Sequence, residues 1–322
     1  MKAIYFDHYG PPEELSLREV PTPTPQAGEV LVKVRASSVN AADWHIVRAD
    51  PPVARLMFGI LKPRFHLLGL DVAGVVEATG AGTGEFKVGD EVFGCLAFPA
   101  LGAFAEYVCA PEALLAPKPA SMGFDEAAAV PLAAGTALRA LVDHGQVKAG
   151  MKVLINGAAG GVGTFAVQIA RALGAEVTAV CSSRNLEQAR ALGATHVIDY
   201  ATEDFTEGQA RYDVIVAANG YHPLSAYKRA LAPGGVYAMT GGKGKQMAEV
   251  LFLGRLFALG SGKRLGSVNF KPRKSDIVYL KGLVDAGKLV SAIDRRYGLA
   301  QVPEAIAYLE EGHARGKVVI TV

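Results

Sequence analysis

The chain has 322 residues, half of them hydrophobic and one in five charged, enough to bury a sizeable core, and its length suggests about two domains. Thirty-three Lys and Arg against 31 Asp and Glu leave a net charge of +2, which gives no electrostatic case for a nucleic-acid partner. The three cysteines, Cys95, Cys109 and Cys181, are scattered without a CxxC, which suits a reducing cytosol and argues against structural zinc.

The opening "MKAIYFDHYGPPEEL" mixes charge, aromatics and prolines and lacks the apolar core of a signal peptide, so a cytoplasmic protein is expected. Residues 1–120 read as strands and turns: "KAIYF", "EVLVKVRASSV", "DVAGVVEATG", "DEVFGCL" and "AFAEYVCA", separated by Pro- and Gly-rich clusters. An Ala-rich helical stretch follows in "DEAAAVPLAAGTALRALVDHG". Strand and helix patterns then alternate over 121–268: "KVLIN" with "GTFAVQIARALGA", "EVTAVC" with "NLEQARALGA", then "HVIDY", "YDVIVAA" and "GGVYAMT". That alternation is the pattern of a parallel sheet flanked by helices. The stretch "MAEVLFLGRLFALG" contains Glu249 and Arg255 and is too short to span a membrane, so it reads as a buried or interface helix. Residues 269–322 carry two helices, "SDIVYLKGLVDAG" and "VPEAIAYLEEG", and the strand "KVVITV", and are expected to return to the first domain.

The segment "VLINGAAGGVGTFAVQIARALGA" places four glycines between Gly157 and Gly163. Laid on the dinucleotide fingerprint GxGxxG, it has Ala158 at the first glycine, then Ala159, Gly160, Gly161, Val162 and Gly163, with Gly157 just before to make the turn. Gly160 would admit a pyrophosphate to the backbone, Gly163 would let helix and strand pack closely, and the helix N-terminus would face the phosphates. A lone glycine pattern is weak evidence; its position after an apolar strand and before an amphipathic helix strengthens it.

The end of the next strand separates the two nicotinamide cofactors. An acidic residue there holds the ribose of NAD, whereas hydroxyls and a cation suit the extra phosphate of NADP. This chain reads "EVTAVCSSRN", so Ser182, Ser183 and Arg184 follow the strand and no acid does. NADPH is the expected cofactor. The plainer alternative is that Ser183 or Asn185 caps the next helix and Arg184 is solvated.

With "SSVNAADWHIVRA", "LGLDVAGVVEATGAG", "FKVGDEVFG", "GAFAEYV", "PLAAGTALRAL", the glycine segment, "LGATHVIDY" and the close "GKLVSAIDRRYGLAQVPEAIAYLEEGHARGKVVITV", the whole chain resembles the medium-chain dehydrogenase/reductase superfamily. Within it the resemblance is to the zinc-lacking quinone oxidoreductase branch, which is zeta-crystallin-like. It implies an α/β protein with a Rossmann doubly wound parallel sheet and a GroES-like, mainly-β catalytic domain built from both chain ends, the active site lying in the cleft between them. Zinc alcohol dehydrogenases of this superfamily carry Cys where Asn40 stands and Gly-His-Glu where Gly69, Leu70 and Asp71 stand. Leucine cannot ligate a metal and Asn is a poor zinc ligand, so no metal is expected.

By resemblance, Asn40 and Thr136 sit near the nicotinamide and Tyr200 beside the adenosine end, with Asn219 and Gly220 ending the following strand. Read without the family, Asn40 is a turn residue and Tyr200 a strand-end aromatic packed on the sheet. Asp43 and His45 are the polar candidates for proton delivery near Asn40, with water as the alternative. Residues 50–68, with Met57, Phe58 and Phe65 among cations, read either as a lid over an apolar pocket or as a surface loop with buried anchors. Lys263, Arg264, Lys271, Arg273 and Lys274 read either as approaching the cofactor phosphates or as a solvated face.

Without a Lewis acid, the best electrophiles are quinones and the β-carbon of α,β-unsaturated carbonyls, because they accept hydride with little polarising help. The expected function is therefore a zinc-independent, NADPH-dependent reductase of such small molecules, a homodimer pairing through "GGVYAMT" near the sheet edge, with no nucleic-acid or membrane partner. The alternative is an NADPH-binding structural or RNA-binding protein with little turnover.

Overall fold

The computed structural model describes every residue except Pro99, Ala210 and Lys243; the side chains of Val53, Met57, Lys245, Ala248, Phe252, Arg255 and Leu256, Met57 of the lid reading and Arg255 of the apolar helix among them, also lie outside the described residues. The chain forms two compact units. The first comprises Met1–Leu132, Lys271–Ala286 and Ile293–Val322; the second comprises Ala133–Phe270 and Gly287–Ala292. The first unit thus runs through Leu132 rather than ending at residue 120, and residues 287–292 of the tail belong to the second.

The first unit is organised around the long strand Glu29–Val39. It pairs antiparallel with Asp71–Thr79, with Tyr107–Pro111 and with the C-terminal strand Lys317–Thr321. Period-2 alternation sends Val30, Val32 and Val34 into one core with Val72, Val76, Val92 and Leu115. A second core gathers Ile4, Phe6, Val39 and Ile46 with Val302, Ile306, Val318 and Ile320, so the helix Val302–Glu310 buries a face spaced by three and four residues. Ile293–Gly298, charged and half-exposed, is a strand that apolar patterning misses; it pairs parallel with Lys317–Thr321.

The second unit holds a six-stranded parallel sheet. Its spatial order is His196–Asp199, Glu176–Cys181, Lys152–Asn156, Tyr212–Ala217, Leu231–Met239, Arg264–Ser267, or 3-2-1-4-5-6 in order of appearance. That is the doubly wound arrangement, whose order reverses between Lys152–Asn156 and Tyr212–Ala217. Helices cover both faces, so the central strands read as continuous apolar runs, with Val153, Leu154 and Ile155 all fully buried. The "GGVYAMT" strand lies next to the sheet edge, with Arg264–Ser267 paired on its outer side, a strand hidden in sequence by its basic neighbours.

The Ala-rich stretch is broken into Phe124–Ala128 and Pro131–Arg139, continued by a turn of wider helix at Ala140–His144. Pro131 lacks an N–H and suits the first position of a helix, which is why the second begins there. The helix Gly244–Ala258 buries Val250 but leaves Leu251 and Leu253 exposed. No helix of the described residues is long and apolar enough to cross a membrane.

Candidate functional site

In the second unit, the strand Lys152–Asn156 ends in the glycine loop and the helix Gly161–Ala172 begins at once, capped by Gly160. Gly157 takes φ +82°, the left-handed turn that the missing glycine at position 158 would otherwise supply. The N–H groups of Gly157 and Ala158 both donate to the carbonyl of Val180, at 3.1 and 3.0 Å, drawing the loop across the end of the neighbouring strand. At Gly163 a Cβ would lie 2.1 Å from the Gly157 carbonyl oxygen, so this glycine is required by helix–strand packing. At Gly160 a Cβ would meet nothing closer than 3.7 Å, so the protein itself does not demand glycine there. Ala159, Gly160, Gly161 and Val162 are half-buried, whereas Ala158 and Gly163 are buried. First-turn N–H groups without intrahelical acceptors, a bare backbone and the positive helix end fit a pyrophosphate.

The other candidates of this unit collect at the same carboxyl edge. Ser182 begins a short turn over Ser183–Asn185 and accepts a hydrogen bond from Asn185 Nδ2 at 3.1 Å; Ser183 and Arg184 are exposed. Asn185 heads the helix Leu186–Ala191, as the capping reading has it, while Ser182 heads the short turn before it. The Tyr200 N–H donates to the Cys181 carbonyl at 3.2 Å, bringing Tyr200 beside the Ser182–Arg184 turn, and its ring is 62% exposed rather than packed on the sheet. Asn219 abuts Gly157, its N–H donating to the Asn156 carbonyl at 3.3 Å, and Gly220 takes φ +87°. Sequence reasoning overlooked the side chain beneath them. Buried Asn156 donates through Nδ2 to the Tyr227 hydroxyl at 2.8 Å, and that hydroxyl donates to the Gly220 carbonyl at 3.3 Å. Thr136 is buried in the helix Pro131–Arg139.

Three members of the basic cluster have partners within the protein. Lys263 donates to the carbonyls of Lys228 and Leu231, at 2.7 and 2.8 Å, closing the end of the helix Leu224–Ala230, and Arg264 donates to the His144 carbonyl. Lys274 pairs with Glu85 in the first unit.

In the first unit, Asn40 caps the helix Ala41–Arg48 and is almost fully buried. Its Nδ2 donates to Asp71 Oδ2 at 2.8 Å and to the Ser38 carbonyl at 3.1 Å, and its Oδ1 accepts from Lys317 Nζ at 2.5 Å. Both amide protons are committed within the protein, so Asn40 has none for a substrate. Asp71 is 0% exposed; its Oδ2 also accepts from Ser38 Oγ at 2.6 Å, and its Oδ1 accepts from the Leu132 N–H at 2.8 Å. Asp43 is likewise 0% exposed: Oδ2 accepts the Asn40 N–H at 2.8 Å, in the manner of a capping box, while Oδ1 has no partner. Burial pushes its carboxyl up to about 7 against the pull of that hydrogen bond, and the nearby charge of Asp71 adds to the rise.

His45 does not join this cluster. Two positions beyond Asp43 on a helix it points elsewhere; its Nδ1 meets the Asp50 carbonyl at 2.8 Å and its ring stacks on Trp44 at 3.6 Å. It closes the helix end, and burial pulls its imidazole below the ordinary value. Asp71 and Lys317 are the residues the sequence reading left out of the site. Their only signal was a charge set in an apolar run, in "GLDVAG" and "GKVVITV".

Residues 50–68 are anchored by Phe58 and Phe65, which meet Phe98 edge-on at 5.6 and 5.2 Å between centroids, and by the Tyr9 hydroxyl donating to the Gly59 carbonyl. Leu61 is 91% exposed. The rings that hold the loop are only half-buried, and its tip is exposed.

Residues 26–120 match the alcohol dehydrogenase GroES-like domain family, and residues 192–320 match the family described as zinc-binding dehydrogenase. A chloroplast envelope quinone oxidoreductase homolog of Arabidopsis thaliana is 34% identical, covering 99% of this chain and 98% of its own. An NADPH-dependent alkenal/one oxidoreductase of the same plant is 33% identical, covering 99% of this chain and 79% of its own. The solved structure of the quinone oxidoreductase from Coxiella burnetii superposes with a TM-score of 0.88 at 33% identity, covering 100% of this chain and 99% of that one. With this match along its whole length, a Rossmann sheet and a GroES-like unit, the chain belongs to the medium-chain dehydrogenase/reductase superfamily, in its zinc-lacking quinone oxidoreductase-like branch, and is an oxidoreductase using a nicotinamide cofactor on a small-molecule substrate.

Proposed function

We propose that this oxidoreductase uses NADPH to reduce quinones or α,β-unsaturated carbonyls, and that it does so without a metal. The observation that carries this reading is the donor set at positions 40, 70 and 71. Asn40 and Asp71 have their polar atoms engaged by Ser38, Leu132, Lys317 and one another, and Leu70 has no donor. A substrate that accepts hydride without a Lewis acid suits such a site, and an unactivated alcohol does not. The names of the quinone and alkenal/one relatives agree with that substrate class.

Bound NADPH would supply the hydride from C4 of its nicotinamide. The N–H groups at Gly161–Gly163 would hold the pyrophosphate, Ser182, Ser183 and Arg184 the ribose phosphate, and Tyr200 would cover the adenosine. Asn219 and Gly220, braced by Asn156 and Tyr227, wall the loop from the other side. Thr136 would face the nicotinamide ring, as the resemblance implies. With Asp43 sealed from solvent and His45 turned to Asp50, the proton that completes the two-electron reduction comes from water.

The test is the loss of nicotinamide absorbance with chelator-treated protein, supplying NADPH and NADH in parallel to one quinone and one enone. Acceptor-dependent oxidation, faster with NADPH, is the expected result. Activity that appears only on adding zinc would sink the metal-free reading.

A further inference from the structure

Lys317 opens the last strand, and its side chain is 3% exposed. Burying an ammonium costs several kcal/mol unless oxygen atoms replace its water. Three do so here: Asn40 Oδ1 at 2.5 Å, the Val39 carbonyl at 3.2 Å and Asp71 Oδ2 at 3.7 Å. An amide oxygen, a main-chain carbonyl and a carboxylate are the donor types that hold a hard cation. The unpartnered Oδ1 of buried Asp43 adds to the negative field.

We propose that these oxygens form a built cation site that Lys317 fills from within the chain, and that Lys317 is a positioning residue for hydride transfer. The ammonium decides which way the Asn40 amide faces, because Oδ1 must turn toward Nζ and Nδ2 therefore toward Asp71. Asp71, balanced by that charge, holds the Leu132 N–H in the first turn of Pro131–Arg139. Thr136 lies four residues on, one turn along the same helix face. The link from Thr136 to the nicotinamide rests on the function proposed above; the cation site does not.

The experiment uses the full chain with Lys317→Met, Lys317→Ala, Asp71→Asn and the double variant Lys317→Met/Asp71→Asn. Lys317→Met strands a buried carboxylate and is expected to lower the unfolding midpoint by on the order of 10 °C, whereas the double variant, with both charges gone, unfolds above either single one. Ethylammonium chloride, compared with sodium chloride at equal ionic strength, is expected to raise the midpoint of Lys317→Ala, where a cavity admits it, and not that of Lys317→Met. In the double variant kcat stays about tenfold below the parent while KM for NADPH moves by no more than about twofold, because geometry rather than binding is lost.

A double variant no more stable than the singles, or ethylammonium acting equally on both alanine and methionine variants, overturns the cation site. Recovery of midpoint and kcat together in the double variant overturns the positioning role and leaves an ion pair of the core. A parent protein that oxidises no NADPH with any acceptor counts against the reductase reading alone, and the midpoints still decide the site.

Discussion

Gly163 lies so close to Gly157 that a Cβ on the first would sit 2.1 Å from the carbonyl oxygen of the second. Gly160, in the same loop, would take a Cβ with no neighbour closer than 3.7 Å. The two glycines should therefore fail differently. Gly163→Ala must push a helix off its strand and is expected to lose more than about 2 kcal/mol of stability, or to leave the protein insoluble. Gly160→Ala should unfold within about 2 °C of the parent yet bind NADPH at least about tenfold more weakly, because the methyl meets the pyrophosphate and not the protein. Thermal unfolding and a fluorescence titration with NADPH check both; equal damage to the fold by the two variants would refute the distinction.

Arg184 stands exposed after the strand Glu176–Cys181. Arg184→Ala should raise KM for NADPH by about tenfold to a hundredfold, the worth of a charge-assisted phosphate contact, and change that for NADH by less than about threefold. Steady-state kinetics with both cofactors decides it. A parallel loss with NADH would place Arg184 in the fold instead.

Asp43 makes stability depend on pH. Its carboxyl is raised to about 7 in the folded protein, mainly by burial, so its contribution is fully present below the unfolded value near 4 and is lost as pH rises through 7. The loss between those limits is on the order of 4 kcal/mol. Urea unfolding at about pH 5 and about pH 8 should show the parent weakening more with rising pH than Asp43→Asn, which has no proton to give up. Identical pH slopes in the two proteins would exclude a buried, titrating Asp43.

His45 contacts the Asp50 carbonyl rather than the polar cluster around Asn40. His45→Ala is expected to cost about 1 kcal/mol through the lost helix closure and to leave kcat and its pH profile unchanged. A tenfold or larger fall in kcat, on the order of 1.4 kcal/mol in the barrier, would return His45 to the chemistry.

Asn40 illustrates where sequence reasoning stops. Its reading as a turn residue pointed to a break in the chain, and the structure makes it the cap of the helix Ala41–Arg48, with Asp43 at the third position. The engagement of its amide was not, because Lys317 lies 277 residues away along the chain. The strand Arg264–Ser267 was missed for a related reason: its basic neighbours obscure a pattern that becomes clear only when Leu231–Met239 is seen to have a partner on that side.

What the sequence determined by itself was whatever contiguous residues settle: the glycine loop, the absence of an acid after Cys181, the alternation that makes a parallel sheet, and the lack of metal-binding side chains at positions 40 and 70. Only the tertiary structure decided that Asp71 and Lys317 meet at Asn40, that His45 turns away, and that Tyr200 stands beside Ser182. Local conformational preference acts over a few residues. A buried charge finds its counter-charge through the folding of distant strands into one sheet, and nothing in either segment alone names the other.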